Sequence, residues 1–506
     1  MSKEKSVQIS ESLEEIECQI RSKFGNSADL TFREFGLGPS NQGLLVFIAG
    51  LAGHEYISMS ILKPLMEFAS LHAGDIPPQS LLDVLHRQVL SNSQIVMVNT
   101  YAEVTKGLLV GKTALFLEQA ESALLLDTFG GKTRSVDQPE TEVTVRGPRE
   151  GFIENLGTNT SLLRRKISDE NLRIESMVLG QRTNTQINLA YIEGLANPKL
   201  VAELKNRLKS IDIDAILESG YIEQLIEDTP QSIFPTVGST EKPDKLAAKL
   251  LEGRVGVLVD GTPFVLTVPY LFVEAFQNPE DYYARPYYTS IIRLIRYLCF
   301  YFSTMLPAFY VAIQSFHQEM LPTSLLINMS AGREGIPFPV IVEALLMGLI
   351  YEILREAGVR MPRTVGQAVS IVGALVLGEA AVQAGIVSQA MVIVVSLTAI
   401  SGFLIPPLTS SMSILRFYFL IATGFLGMFG WLISLLALFI HMANIRSFGV
   451  NYLSPLIPSN VGDLKDSMVR LPLWSMISRP SLLGGTRRQG KKGMMQRLAK
   501  LKGNKN

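Results

Sequence analysis

Arg296-Tyr-Leu-Cys-Phe-Tyr-Phe-Ser-Thr-Met-Leu-Pro-Ala-Phe-Tyr-Val-Ala-Ile-Gln-Ser-Phe-His-Gln318 carries no Asp, Glu, Lys or Arg after its first residue. Upstream of it, apolar runs are short and interrupted by charge, as in an α/β domain folded in water. Downstream come further uncharged stretches, Thr364–Gly378, Ala380–Leu415 and Phe417–Ile445. A helix needs roughly 20 apolar residues, at about 1.5 Å rise each, to cross a bilayer. Spans are therefore expected near 297–316, 364–384, 387–405 and 417–442. Pro406-Pro407 ends the third, because proline lacks the N–H that a helix interior requires. A fifth piece, 339–354, is ambiguous: it contains Glu343 and Glu352 around a short uncharged centre.

The whole-chain composition agrees. Of 506 residues 47% are hydrophobic and 18% charged, against about 25% charged in soluble chains. Lys+Arg and Asp+Glu are both 46, so net charge says nothing about partners. Its distribution does: Arg487, Arg488, Lys491, Lys492, Arg497, Lys500, Lys502 and Lys505 form a basic tail without acids. Arg293 and Arg296 before the first span, and this tail after the last, both favour the cytoplasmic side. Both ends inside require an even number of crossings, so four spans and one interfacial or re-entrant helix are expected. Arg355, Arg360 and Arg363 then fall on the disfavoured side, a conflict internal to the sequence. Met1–Glu17 is polar and holds no apolar core of a cleaved signal peptide, which places the N-terminal region in the cytoplasm.

The front of the chain repeats itself. Leu45-Val-Phe-Ile-Ala-Gly-Leu-Ala-Gly53 echoes Leu189-Ala-Tyr-Ile-Glu-Gly-Leu-Ala-Asn197, each an apolar strand, a Gly turn and a helical pattern. Gly111–Leu117 resembles Gly261–Thr267 more loosely. The expected architecture is a polar segment (1–27), an α/β subdomain (28–145), a charged connector (146–184) and a second, related α/β subdomain (185–285). An all-α transmembrane bundle of four to five hydrophobic helices (290–445) and the basic tail (446–506) complete it. The connector's Arg146, Arg149, Glu150, Arg164 and Arg165 suit either a docking surface or a solvated helix.

Catalytic signatures are missing. Gly107-Leu-Leu-Val-Gly-Lys-Thr113 has three residues between its glycines where a phosphate loop needs four, and it reads as a turn between strands. In the second Gly-Lys-Thr, at Gly131, Leu126 stands where the first glycine belongs. The five histidines lack paired ligand spacing, and the two cysteines, Cys18 and Cys299, lie too far apart for a thiolate site. No metal, no cofactor and no enzymatic activity are expected.

In the bundle, 364–384 has two faces at 100° per residue. Val365, Val369, Val372, Val376, Glu379 and Gln383 form one stripe. Gly366, Ser370, Ala374 and Gly378 recur every four residues on another, a spacing that lets helices approach closely. Such a helix fits a ring of subunits, with valines gating by dewetting and Glu379 drawing cations to the mouth. Equally, Glu379 at the surface and valines facing lipid would satisfy the pattern. Glu343, Glu352, Arg355 and Glu356 form a second set, able to couple this helix to a partner or to snorkel at an interface.

Several blocks carry a family resemblance: the connector, Gly194-Leu-Ala-Asn-Pro198, Asp214–Gly220, Leu251–Phe264, Pro279-Glu-Asp-Tyr-Tyr283, Arg333-Glu-Gly-Ile-Pro-Phe-Pro339, Glu352-Ile-Leu-Arg-Glu-Ala-Gly358, Gly366–Gly378 and Arg446–Pro455. Over roughly 28–480 the chain resembles the GerA family of spore germination proteins, in particular the A subunits of nutrient germinant receptors. The resemblance implies a multi-pass protein of the inner membrane of bacterial endospores, with lipid around it and both termini cytoplasmic. It implies a homo-oligomer around an ion-conducting pore, assembled with a transporter-like B subunit and a C-subunit lipoprotein, and no nucleic acid. A family relative that amplifies ion release is the alternative. A secondary transporter would show inverted repeats in the membrane half, and a nucleotide-driven enzyme an intact phosphate loop.

Overall fold

The structure is a computed structural model, and it describes residues 7–37, 41–71, 77–92, 94–130, 139, 141–142, 144, 146–360, 378–457, 464–473, 475–476 and 479. The chain divides into two compact units, one containing Met1–Glu227 and Val237–Pro269, the other Asp228–Thr236 and Tyr270–Ile477.

The first unit holds two five-stranded antiparallel sheets. Strands β1 (Leu30–Gly36), β2 (Gln42–Ile48), β3 (Ile95–Val98), β4 (Lys112–Leu117) and β5 (Ala123–Asp127) stand in the order β1-β2-β4-β5-β3. Strands β6 (Leu172–Leu179), β7 (Thr185–Ile192), β8 (Gly238–Thr240), β9 (Val255–Val259) and β10 (Val265–Val268) stand in the order β6-β7-β9-β10-β8. The two orders are the same permutation. Successive side chains point to opposite faces of a strand, so β2 feeds two cores. Leu44, Val46 and Ile48 meet Ile16, Ile20 and Phe24 of α1 (Leu13–Phe24). Leu45 and Phe47 meet Ile57, Leu65 and Leu85, which come from α2 (His54–Ile57), α3 (Lys63–Leu71) and the π turn after α4 (Pro78–Val84).

Two expectations shift here. The N-terminal segment is built into the first sheet's core rather than preceding it. The second sheet begins at Leu172, inside the expected connector, whose helix α6 (Leu156–Lys166) packs with Leu246 and Leu250 of α9 (Pro243–Leu251). The short repeat also acquires a register. After α5 (Tyr101–Leu109), Gly111 at φ 91° leads into β4; after α9, Gly253 at φ 99° leads into β9. Gly111 therefore matches Gly253, not Gly261, whose strand β10 holds the next place in the order. Helices α7 (Pro198–Lys209) and α8 (Ser219–Ile226) complete this unit.

The second unit is helical: α10 (Glu280–Tyr283), α11 (Pro286–Phe316), α12 (Thr323–Ala331), α13 (Val340–Arg360), α14 (Gly378–Gln383), α15 (Gln389–Gly402) and α16 (Thr409–Asn444), then a small ribbon, β11 (Arg446–Ser447) with β12 (Val450–Asn451). Among the described residues two helical stretches, Pro286–Phe316 and Pro406–Asn444, are long and apolar enough to cross a membrane. These contain the expected spans 297–316 and 417–442. The expected span 387–405 is the 14-residue apolar α15. Of 364–384, residues 364–377 lie outside the described residues. The ambiguous piece 339–354 is part of one continuous helix of 21 residues. Of the expected bundle of four to five spans, two helices among the described residues meet the criteria of length and composition together.

The last of these is not one straight rod. Gly427 interrupts α16 with φ 59° and ψ −142°. The Ser411 hydroxyl donates to the Ile233 carbonyl, and His441 Nε2 lies 3.1 Å from Ser232 Oγ. An unbroken helix would hold residues 411 and 441 about 45 Å apart, yet both reach adjacent residues. The chain therefore turns back at Gly427 into two arms, 409–426 and 428–444. Only glycine adopts that φ without strain, and the Phe316 ring packs where a Cβ would stand. The expected single span 417–442 contains this turn.

Candidate functional site

Helix α13 carries polar residues at both ends of an apolar run, and each end is tied to other helices. At its start Glu343 is fully buried. The Ser388 hydroxyl donates to Glu343 Oε2 at 3.0 Å, and Arg333 Nη2 lies 3.9 Å from Oε1. Ser388 is also the N-cap of α15, accepting from the Met391 N–H at 3.3 Å, so one hydroxyl fixes the position of two helices.

The other end is built around Arg416, 3% exposed on the first arm of α16. Its Nε donates to the Ser303 carbonyl of α11 at 3.0 Å, and its Nη1 to Glu352 Oε1 of α13 at 3.1 Å. The guanidinium carbon stands 4.8 Å over the Tyr351 ring. Glu352 Oε2 is held by Arg355 at 2.8 Å, and Arg355 donates to Ser413 Oγ at 2.7 Å. Arg416 thus ties three helices together, and the Glu352 carboxylate lies between two guanidinium groups. Glu356 belongs elsewhere: it pairs with Arg360 at 2.6 Å on the exposed face. Sequence reasoning found Glu352 and Arg355 but missed Arg416. Its signal was its position, the single charge separating Ala380–Leu415 from Phe417–Ile445.

A second buried network fastens the start of α11. Arg293, fully buried, pairs with Asp281 at 3.2 Å and with Asp466 Oδ1 at 2.9 Å. Arg296 donates to Asp281 Oδ2 at 2.8 Å, and Tyr282 donates to Asp466 Oδ2 at 2.6 Å. Residues 464–470, within the expected tail 446–506, are thereby anchored to α10 and α11. Nothing in the sequence marked Asp281 or Asp466 as partners of these arginines.

Of the expected pore stripe, Val365, Val369, Val372 and Val376 lie outside the described residues, as do Gly366, Ser370 and Ala374. Glu379 and Gln383 are described. Both are exposed on α14, with Gln383 Nε2 donating to Glu379 Oε1 at 3.3 Å. Gly378 is buried, and a Cβ there would contact Val392.

In the first unit the expected docking residues separate. Arg164 is 1% exposed and forks onto Asp29 at 2.7 and 3.0 Å and onto Ser27 Oγ at 2.8 Å. Asp29 opens the first sheet and Arg164 closes the helix over the second, so this residue joins the sheets and is not a docking surface. Lys166 and Arg165 hold Glu150 at 2.7 and 3.6 Å. The Lys166 hydrogen bond leads in keeping the Glu150 carboxyl below the ordinary range. Arg146 and Arg149 are exposed. Gly107 lies inside α5, packed on Leu125, and Gly111–Thr113 turns from helix into strand. A phosphate loop runs from strand into helix, so the motif fails on order as well as spacing, and the expected turn between strands is a helix-to-strand turn. Gly131–Thr133 lie outside the described residues. Among the described residues no group of three or more His, Cys, Asp and Glu can hold a metal ion.

Residues 18–482 match the model of the Bacillus/Clostridium GerA spore germination protein family. Spore germination protein KA of Bacillus subtilis (strain 168) is 46% identical over 94% of this chain and 88% of its own. Uncharacterized membrane protein YfkQ of the same organism is 42% identical over 92% and 90%. The crystal structure of the N-terminal domain of the A subunit of the Bacillus megaterium spore germinant receptor GerK3 is 34% identical. It covers 53% of this chain and 99% of that one, with a TM-score of 0.42.

Proposed function

Since the chain belongs to the GerA family of Bacillus/Clostridium spore germination proteins, we propose that it is the A subunit of a nutrient germinant receptor and that copies of it enclose a nutrient-gated cation channel. Assembly with a transporter-like B subunit and a C-subunit lipoprotein, in the inner membrane of the endospore with both termini cytoplasmic, is part of the same proposal. The observation that carries it is the pair Glu379–Gln383, exposed on a unit whose outer surface also presents Ile393, Phe425, Phe429 and Leu436. A carboxylate facing lipid tails is costly; one facing a water-filled conduit or a neighbouring subunit is not. On the sequence, Val365, Val369, Val372 and Val376 precede it at helical spacing, and they are the apolar constriction of this proposal.

The channel is tested by ion flux through the assembled complex. Val372→Ala or Val376→Ala is expected to raise the basal leak and weaken dormancy, and Glu379→Gln to lower the preference for cations. An unchanged leak removes the valines from the gate. Unchanged selectivity removes Glu379 from the pore.

A further inference from the structure

We infer that Thr409–Asn444 crosses the membrane twice, turning at Gly427, and that α13 crosses as well, so that Arg355, Arg360 and Arg446 share the side of Arg293 and Arg296. This rests on the second unit lying in a membrane and adds the path the chain takes through it.

The helical unit has two ends, each defined by contacts. At the first, Phe276 stacks on Tyr297 with ring centroids 4.0 Å apart, Phe272 meets Phe300, and Ser411 and His441 reach residues 233 and 232. At the second, Phe316 packs on Gly427, Ile341 packs on Gly424, and Ser388 bonds Glu343. Helix α11 runs from the first end to the second. Helix α13 returns: it starts with Ile341 at Gly424 and passes Glu352 at Arg416 and Arg355 at Ser413. Helix α15 also returns, from Ser388 at Glu343 to Gly402, where a Cβ would touch Ser303 and the Tyr351 hydroxyl. The first arm of α16 goes out and the second comes back, Trp431 packing on Phe309 with ring centroids 5.7 Å apart after Phe316 has met Gly427. Each arm is about 25 Å long at 1.5 Å per residue, close to the roughly 30 Å hydrocarbon core.

This path sorts the charges. Arg293, Arg296, Arg355, Arg360, Arg446, Lys465 and Arg470 fall at the first end, while Arg333 lies at the second between Glu319 and Glu334. Short loops rich in Lys and Arg stay in the cytoplasm, which assigns the first end to that side. The conflict of the four-span reading, with Arg355 and Arg360 stranded outside, disappears. Arg416 remains within the apolar layer, where Glu352 neutralises it. The outward face is left with α12, whose Leu325 and Ile327 are exposed, and the tip of the hairpin.

Single cysteines in the full-length chain, after Cys18→Ser and Cys299→Ala, test the path by labelling intact protoplasts with a membrane-impermeant maleimide. Ile327→Cys and Leu426→Cys are expected to label before lysis, and Val359→Cys and Asn444→Cys only after permeabilisation. Phe425→Cys repeats the tip measurement should Leu426→Cys fail to accumulate. Labelling of Asn444→Cys from outside, or of both tip cysteines only after permeabilisation, overturns the double crossing. Labelling of Val359→Cys from outside overturns the crossing by α13. Retention in the membrane after a carbonate wash is scored on the cysteine-free parent: its loss defeats the membrane reading itself, whereas retention with the wrong labelling defeats only the path.

Discussion

Both units bury Leu, Ile, Val and Phe, but they differ in what else they bury and in what they expose. In the first, Leu, Ile, Val and Phe fill both faces of each sheet and most charged residues look outward. In the second, Phe425 is 80% exposed while Ser303, Thr304 and Thr423 are completely buried. The difference follows from the solvent each unit is built for. Removing apolar surface from water drives the packing of sheets and helices in the first. Among lipid tails that drive is missing, and helices associate through small residues, close contact and internal hydrogen bonds. Each unit also has a buried arginine–carboxylate joint between its elements, Arg164–Asp29 in the first and Arg416–Glu352 in the second. One lies between sheets whose apolar cores are complete without it; the other is the main polar tie among three helices.

If that contrast is right, breaking the helical joint has the largest effect. Glu352→Leu strands Arg416 in an apolar layer and is expected to cost about 3–5 kcal/mol, the usual penalty for an orphaned buried charge. Thermal unfolding of the detergent-solubilised chain reads it. Adding Arg416→Met should recover most of the loss, because replacing both partners leaves no unpaired charge. A single variant as stable as the parent would mean that water reaches Arg416 and that the joint resembles a surface ion pair.

The sheet joint should cost less. Asp29→Leu leaves Arg164 its Ser27 hydroxyl, so about 2–3 kcal/mol is expected, the range for hydrogen bonds to charged groups. Its signature is faster hydrogen exchange in β1 and β6, with the helical unit unaffected. A loss equal to that of Glu352→Leu would erase the distinction between the units.

What was legible in the sequence follows the same division. The short apolar runs and the two strand–Gly–helix echoes marked the α/β front, because those patterns are local. The Arg164–Asp29 joint spans residues far apart in the chain, and no local pattern marks it. In the apolar half, hydropathy located the stretches but could not register the turn at Gly427, since one glycine among many carries no sign of its φ. Arg416 was visible as an isolated charge; its partners were not, because α13 is adjacent to it in space and not in sequence. Glu343 and Glu352 were both visible, and made the segment ambiguous; Glu343 is buried against Ser388, and Glu352 is held between Arg355 and Arg416, so each has a partner.

The smallest effect tests whether the first unit, too, tolerates a buried charge without a cation. Burial pushes the Glu223 carboxyl on α8 up to about 7, and the charges of Glu227 and Glu218 add to the shift. A carboxyl raised on folding is held protonated by the native state. Its contribution to stability is complete below its ordinary value and is lost as the pH rises through about 7. The protection of the α8 amides against hydrogen exchange should therefore fall between pH 5 and pH 8 in the parent. Glu223→Gln has no proton to lose, so it should keep that protection and exceed the parent by about 1 kcal/mol at pH 8. At pH 4 the two should coincide. A parent whose α8 protection does not change across this range would show Glu223 solvated like any surface carboxylate, and the first unit would hold its buried charges only in pairs.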